Sequence, residues 1–210
     1  MKKKDKDQAI IFVHGLWMTG MEFFYLRLKF RKQGYRVYTF HYSSIFTSPE
    51  NNAEKLACFM RKVNEPEVHF VAHSLGGIVL SYLCQRQQLP KPCKVILLAS
   101  PVNGSTVARS MVRHRIFRIM LGKSIINGLL DAPGWNCRCP TCVIADSGRF
   151  GMGRFLAPGA MELTNDGTVN QSETAIKTAT ESHLVHHTHF SLLWSKPVFT
   201  IMLSFLNRMD

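Results

Sequence analysis

The sequence predicts an α/β fold: a mostly parallel central sheet of about six strands with helices on both faces. Two observations carry that expectation. Short β-rich runs alternate with longer helical patterns along the 210 residues, and such alternation gives parallel strands joined by helical crossovers. No internal repeat or low-complexity linker interrupts it, and a chain of this length buries a sizeable core as one domain. Residues 1–210 are therefore read as a single domain, with a helical excursion at about 105–140.

The elements follow in order. QAIIFVH (8–14) reads as a buried strand. A helical stretch from about Met21 to Gln33 closes on Gly34, as a helix C-terminus should. YRVYTFHY (35–42) is the second strand and residues 49–63 the next helix; VHFVAH (68–73) is the third strand, with residues 76–87 helical after it. KVILLAS (94–100) makes the fourth strand, and 105–130 is a basic, apolar-striped helical segment. TCVIAD (141–146) and SHLVHH (182–187) are the fifth and sixth strands, before a terminal helix from about Phe190 to Arg208. Ligands on such sheets bind at the carboxyl ends of the strands, where His14, Ser74, Ser100 and Asp146 fall.

Composition narrows the classes. Hydrophobic residues make up 46% of the chain, which argues against disorder. No stretch reaches the ~18 uninterrupted apolar residues of a membrane span. The N-terminal MKKKDKDQAIIFVHG starts like a signal peptide, but its apolar run is short and stops at His14-Gly15 without a small-residue cleavage site. The expectation is a cytoplasmic protein. Lys and Arg total 26 against 14 acids, a formal charge of +12. No carboxylate occurs between Glu67 and Asp131, whereas Arg109, Arg113, Arg115, Arg118 and Lys123 fall close together. That distribution reads either as a solvated basic face or as a surface attracting anionic lipid, an acyl-phosphate carrier or nucleic acid. No nucleic-acid motif appears, so nucleic acid is not expected as a partner. The six cysteines do not resemble a disulfide framework for a chain without a secretion signal. Cys137, Cys139 and Cys142 form a C-x-C-x-x-C cluster, but the sequence presents no second pair to complete a zinc site. Reduced thiols and no metal are expected.

The stretch HFVAHSLGG (69–77) carries the chemistry. A strand-to-helix turn tight enough to strain Ser74 leaves no room for large side chains two residues away, and Ala72 and Gly76 meet that constraint. Gly77 lets the helix lie close. This resembles the G-x-S-x-G nucleophile elbow of the α/β-hydrolases, with alanine for the first glycine. FVHGLW (12–17) resembles the H-G-[LM] oxyanion motif of lipases, and LLASPVNGSTVA (97–108) resembles their G-T-P-x-x-G-S segment, with Ser100 in place of threonine. The D-G-x-V of TNDGTVN, around Asp166, resembles the acid loop of bacterial lipases and small lipase-like hydrolases. The chain is thus similar to α/β-hydrolases of the lipase and esterase type, in a compact form lacking the first two strands, from Ile10 to the final helix.

The resemblance implies hydrolysis of an acyl ester through an acyl-enzyme, with no cofactor or metal. The triad order in that fold is serine, acid, histidine. After Ser74 the acids are Asp131, Asp146, Glu162, Asp166, Glu173, Glu181 and Asp210, and the late histidines are His183, His186, His187 and His189. Asp166 is the expected acid, with Asp146, at a strand end, left open. His189 stands just past the last strand, where the family keeps its catalytic histidine, with His187 as the alternative; neighbours in a strand point to opposite faces, so a four-histidine metal cluster is not expected. Backbone N–H groups of Leu75 and Leu16 would form the oxyanion hole, and His14 would brace the Leu16 loop. The excursion takes the place of a lid. Its apolar residues either cover the sheet edge or border an acyl groove through Met111, Ile116, Phe117, Met120 and Leu121, with Trp17 and Phe23 shaping the entrance. The substrate expected is a small-molecule acyl ester or lipid of medium or long chain, with peripheral contact to an anionic membrane surface through the arginines. A thioesterase or acyltransferase using the same triad, or a degenerate hydrolase fold that only binds anionic lipid surfaces, are the competing readings.

Overall fold

The computed structural model describes residues 7–86, 89, 92–147 and 169–208. Six strands form one sheet: β1 (Gln8–Val13), β2 (Arg36–Phe40), β3 (Glu67–His73), β4 (Val95–Leu98), β5 (Thr141–Asp146) and β6 (Glu181–Val185). Their order is β2-β1-β3-β4-β5-β6, and all pairings are parallel. The helices are α1 (Phe24–Lys32), α2 (Pro49–Met60), α3 (Leu75–Arg86), α4 (Thr106–Met111), α5 (Arg115–Leu121), α6 (Gln171–Thr174) and α7 (Lys196–Asn207).

Strand alternation sorts the apolar side chains into two layers. Ala9, Ile11 and Val13 of β1 join Phe70 and Ala72 of β3 and Leu56, Val79 and Leu83 of α2 and α3. Ile10 and Phe12 point the other way, into Val71, Ile144, Phe30 of α1, and Met202 and Phe205 of α7. The sheet is covered on both faces, as its near-continuous apolar strands require. Helix starts follow local chemistry. Ser48 Oγ accepts from Asn51 N–H with Pro49 opening α2, and Ser195 Oγ accepts from Val198 N–H at 3.3 Å with Pro197 in the first turn of α7. The last helix therefore starts at Lys196 rather than near Phe190; residues Ser191–Trp194 form a separate 3₁₀ turn.

The cysteines depart from expectation. Cys93 and Cys139 form a disulfide with Cα atoms 5.8 Å apart. Each lies two residues ahead of its strand, and β4 pairs with β5 through Val95 and Thr141, so the parallel register sets the two side by side. Closing a loop of 46 residues contributes about 4 kcal/mol through the denatured chain. Cys142, by contrast, is buried within the sheet, and burial pushes its thiol up to about 12.

The excursion lies over the carboxyl end of the sheet. Val107, Ala108, Met111 and Leu121 sit on Leu75 and Ile78 of α3. Its return limb, residues 132–140, leads into β5.

Candidate active site

β3 delivers Ser74 to the turn before α3. There its φ is 51°, a left-handed conformation unusual for a side chain other than glycine. Ser74 N–H donates to Leu98 O at 3.0 Å, tying the turn to β4, and Ser74 O accepts from Gly77 N–H at 3.0 Å as α3 begins. The small residues behind it are dictated by distance. A Cβ on Gly76 would stand 2.3 Å from Val13 O and 2.7 Å from His14 O, so α3 crosses the end of β1 in backbone contact. A Cβ on Gly77 would stand 2.5 Å from Ser100 Cβ, which explains the pairing of that glycine with the buried Ser100.

The late histidines have separate destinations. His183 Nε2 contacts Glu181 at 2.9 Å, His186 Nδ1 meets Ser147 Oγ at 3.3 Å, and His187 Nε2 meets Ser195 Oγ, the α7 cap, at 2.8 Å. His189, 3% exposed, lines the same cavity as Ser74. Leu16, Trp17, Met18, Met111, Leu121 and Phe190 complete much of its apolar wall, around about 80 Å³ of free space. Met111 and Trp17 thus both line this cavity. Phe117 is not among the lining residues. Its ring stands edge-on to His114 at 5.9 Å. It lies on the same face of α5 as Leu121, one turn earlier, and is half-buried against the apolar cluster of Leu75, Met111 and Leu121. Ile116 and Met120 face outward, and Phe23 is fully buried against Phe12 at 4.8 Å rather than at the entrance.

The loop carrying Leu16 is held from several sides. His14 is fully buried: its Nδ1–H donates to Gly15 O at 2.9 Å, and its Nε2 accepts from Tyr42 N–H at 3.4 Å. Its ring stacks on Tyr42 at 4.1 Å, and Tyr42 O–H donates to His14 O at 2.6 Å. Burial holds His14 below the ordinary imidazole range, consistent with one ring nitrogen donating and the other accepting. Trp17, with a φ of 58°, donates its backbone N–H to Ser44 Oγ at 3.0 Å and its indole N–H to Met120 O at 2.9 Å. Leu75 opens α3 beside the serine, in the apolar cluster beneath α4.

Of the acids after Ser74, two are committed elsewhere. Glu173 accepts from Thr106 N–H at 2.6 Å and from Asn170 N–H at 3.0 Å, in the capping box of α6. Glu181 holds His183 and Arg208. Asp146 ends β5 opposite Val185. Asp166 lies outside the described residues; Val169, the anchor expected for its loop, is buried and lines the cavity. Among the described residues, Cys142, Glu181 and His183 are close enough to hold an ion, but Glu181 already serves Arg208 and the Cys142 thiol is buried.

One residue escaped the sequence reading. His73, immediately before the serine, is completely buried, and its Nε2–H donates to the backbone carbonyl of His189 at 2.9 Å, with the two rings 4.6 Å apart. The strand end bearing Ser74 is thereby tied to the turn bearing His189. Burial, then the neighbouring His189, hold His73 well below the ordinary imidazole value. In the unfolded chain the same ring titrates near ~6.5. The folded state therefore binds fewer protons at acid pH. The stability this confers is complete above that value and falls as pH drops below it, by up to about 1.4 kcal/mol per pH unit for each such histidine. Urea midpoints measured from neutral to mildly acid pH should fall accordingly, and His73→Gln, which cannot titrate, should flatten the slope; an unchanged slope would show that His73 is not the group responsible.

Comparison with known proteins sharpens this picture. A family model described as "Domain of unknown function (DUF7379)" matches residues 1–135. The chain belongs to that family. No curated protein matches the sequence. Among solved structures, this DUF7379 member is similar to the mature lipase BlEst2 of Bacillus licheniformis, at 20% identity over 94% of this chain and 91% of that one, with a TM-score of 0.76. It is similar to the metagenomic carboxyl esterase MGS0156, at 15% identity over 90% and 66% of the two chains, TM-score 0.67. A lipase-esterase related protein of Clostridium acetobutylicum matches at 14% identity over 97% and 95%, TM-score 0.58. At these identities the likeness is one of fold. This DUF7379 chain has the α/β-hydrolase fold, with the six-stranded sheet expected and every pairing among the described strands parallel.

Proposed function

We propose that the chain is a serine hydrolase of carboxylic esters. The observation that carries this reading is Ser74, held in a left-handed turn at a strand end and lining one small apolar cavity with His189. In the mechanism proposed, the His189 imidazole takes the hydroxyl proton as Ser74 Oγ bonds to the ester carbonyl carbon. The N–H groups of Leu16 and Leu75 receive the negative oxygen of the tetrahedral intermediate. His189 then returns the proton to the departing alcohol, leaving the acyl group on Ser74, and water activated by the same ring releases the acid. Asp166 is the group proposed to orient the imidazole. A fluorophosphonate probe, which needs an activated serine but no knowledge of the substrate, tests this. Peptide mapping should place the adduct on Ser74 and lose it in Ser74→Ala; labelling elsewhere, or none across neutral and mildly alkaline pH with and without detergent, overturns the proposal.

The cavity favours a shorter acyl group than the medium or long chain expected. Its 80 Å³ is smaller than the cavity of about 150 Å³ that admits benzene. A short acyl group suits this arrangement; the Trp17–Met120 hydrogen bond, which ties the Leu16 loop to α5 beside the cavity, is the contact proposed to yield to a longer one. Acetyl and butyryl esters should therefore exceed dodecanoyl esters in kcat/KM by about tenfold or more in the absence of a lipid surface. A lipid surface is the partner proposed for the outer face of α5. There Ile116 and Ile119 are 72% and 68% exposed, among the exposed Arg113, Arg115 and Arg118. Apolar side chains ringed by arginines suit an anionic bilayer. The Cys93–Cys139 bridge supports an oxidising compartment as the setting, rather than the cytoplasm.

A further inference from the structure

Beside the Cys93–Cys139 bridge stand two more cysteines that the catalytic proposal does not use. Cys84 lies in the last turn of α3 and Cys137 in the limb returning from the excursion to β5. Both are half-buried against the same apolar cluster that contains Cys93 and Cys139. The Cys84 thiol donates to the Cys137 sulfur, which also accepts from the backbone N–H groups of Cys139 and Arg138. Gln85 Nε2 donates to Pro133 O at 3.0 Å, fixing the helix end to the same limb. The C-x-C cluster thus does have a second pair facing it, drawn from α3 and the approach to β4. Its partners are Cys84 and Cys93, one for each member.

We propose that Cys84 and Cys137 are the site of a second cystine, so that two parallel bridges clamp the return limb of the excursion to α3 and β4. The donors around Cys137, the Cys84 thiol first, hold it below the ordinary thiol range, while the proton shared with Cys137, then burial, push Cys84 up, so Cys137 is the sulfur that deprotonates first. The oxidant is a low-molecular-mass disulfide. The Cys137 thiolate bonds to one of its sulfurs, breaking the oxidant's S–S bond and releasing one thiolate. Cys84 then loses its proton and bonds to the Cys137 sulfur, displacing the second thiolate. Two electrons pass from the cysteine pair to the oxidant, and the two protons leave on its thiols. With both bridges formed, the limb at 132–140 is fixed, and any opening of the cavity is confined to α4 and α5. Both residues are half-buried rather than enclosed, unlike Cys142.

The test uses the full chain equilibrated in an oxidised and reduced glutathione buffer and then mapped without reduction. Trypsin cuts after Arg86 and after Arg138, which separates Cys84 from Cys93 and Cys137 from Cys139. The expected map contains a Cys84–Cys137 peptide alongside a Cys93–Cys139 peptide. Alkylation of Cys84 and Cys137 should fall about tenfold or more relative to the exposed Cys58. Cys84→Ser should remove the first cross-link, keep the second, and leave Cys137 open to alkylation. Two results overturn the proposal: Cys84 and Cys137 remaining fully alkylated when Cys93–Cys139 is closed, or native mass spectrometry showing a bound zinc ion with all four sulfurs reduced.

Discussion

Ser74→Ala and His189→Gln should each lower kcat/KM for a short-chain ester by at least about a thousandfold, and the double variant should cost little more than either alone. The non-additivity is the informative part. A serine without its base and a base without its serine are equally idle, so the second change removes nothing that still works. Both substitutions are small, and circular dichroism should show an unchanged fold. His187→Gln is the control. His187 meets Ser195 at the start of α7, so its loss should touch stability more than rate. Should His187→Gln abolish activity while His189→Gln retains it, the assignment of the base is wrong.

Gly76→Ala should destabilise the protein by about 3 kcal/mol. The added methyl would meet two backbone carbonyl oxygens, of Val13 and His14, and neither can swing aside as a side-chain tip could. Gly134→Ala provides the comparison. Its φ of 74° is unfavourable for alanine, but nothing stands within 4 Å of the new methyl, so only the conformational cost of about 1 kcal/mol applies. Urea unfolding of the two variants separates close approach from backbone preference. Equal losses would mean that α3 can draw back from β1 at little cost. The Gly76 variant should also lose hydrolysis beyond its loss of fold, because the same crossing sets Ser74 beside the Leu16 loop.

The strands were legible because their apolar runs are short and bounded by glycine, proline and polar clusters, and each of the six occurs where those runs predict. Ser74 was legible for a steric reason: only small residues tolerate such a turn, and Ala72, Gly76 and Gly77 are written around it. His189 was chosen by position alone; that it shares a cavity with Ser74, and that His183, His186 and His187 are bonded elsewhere, needed coordinates. A stripe of apolar residues over 105–130 does not tell the exposed Ile116 and Met120 from Leu121, which lines the cavity, because the break at 112–114 is not written in it. The Cys93–Cys139 bridge depends on the register of β4 against β5, a non-local quantity that no spacing along the chain encodes. His73 was overlooked because a histidine beside a serine looks like strand filler until the carbonyl of His189 is seen to meet it.

The sheet order has a bearing on how the nascent chain survives its own synthesis. β1 is the first made of the six described strands, yet it is held between β2 and β3, through pairs such as Ile10 with Val37 and with His69. No hairpin can close any neighbouring pair in an all-parallel sheet; each must wait for a crossover to swing round. The five residues Ala9–Val13, all 0% exposed in the finished fold, therefore stay incompletely covered until His73 has left the exit tunnel. A bare run of that kind is a template for association between chains. The lysines ahead of it, Lys2, Lys3, Lys4 and Lys6, supply like-charge repulsion between neighbouring nascent chains during that interval.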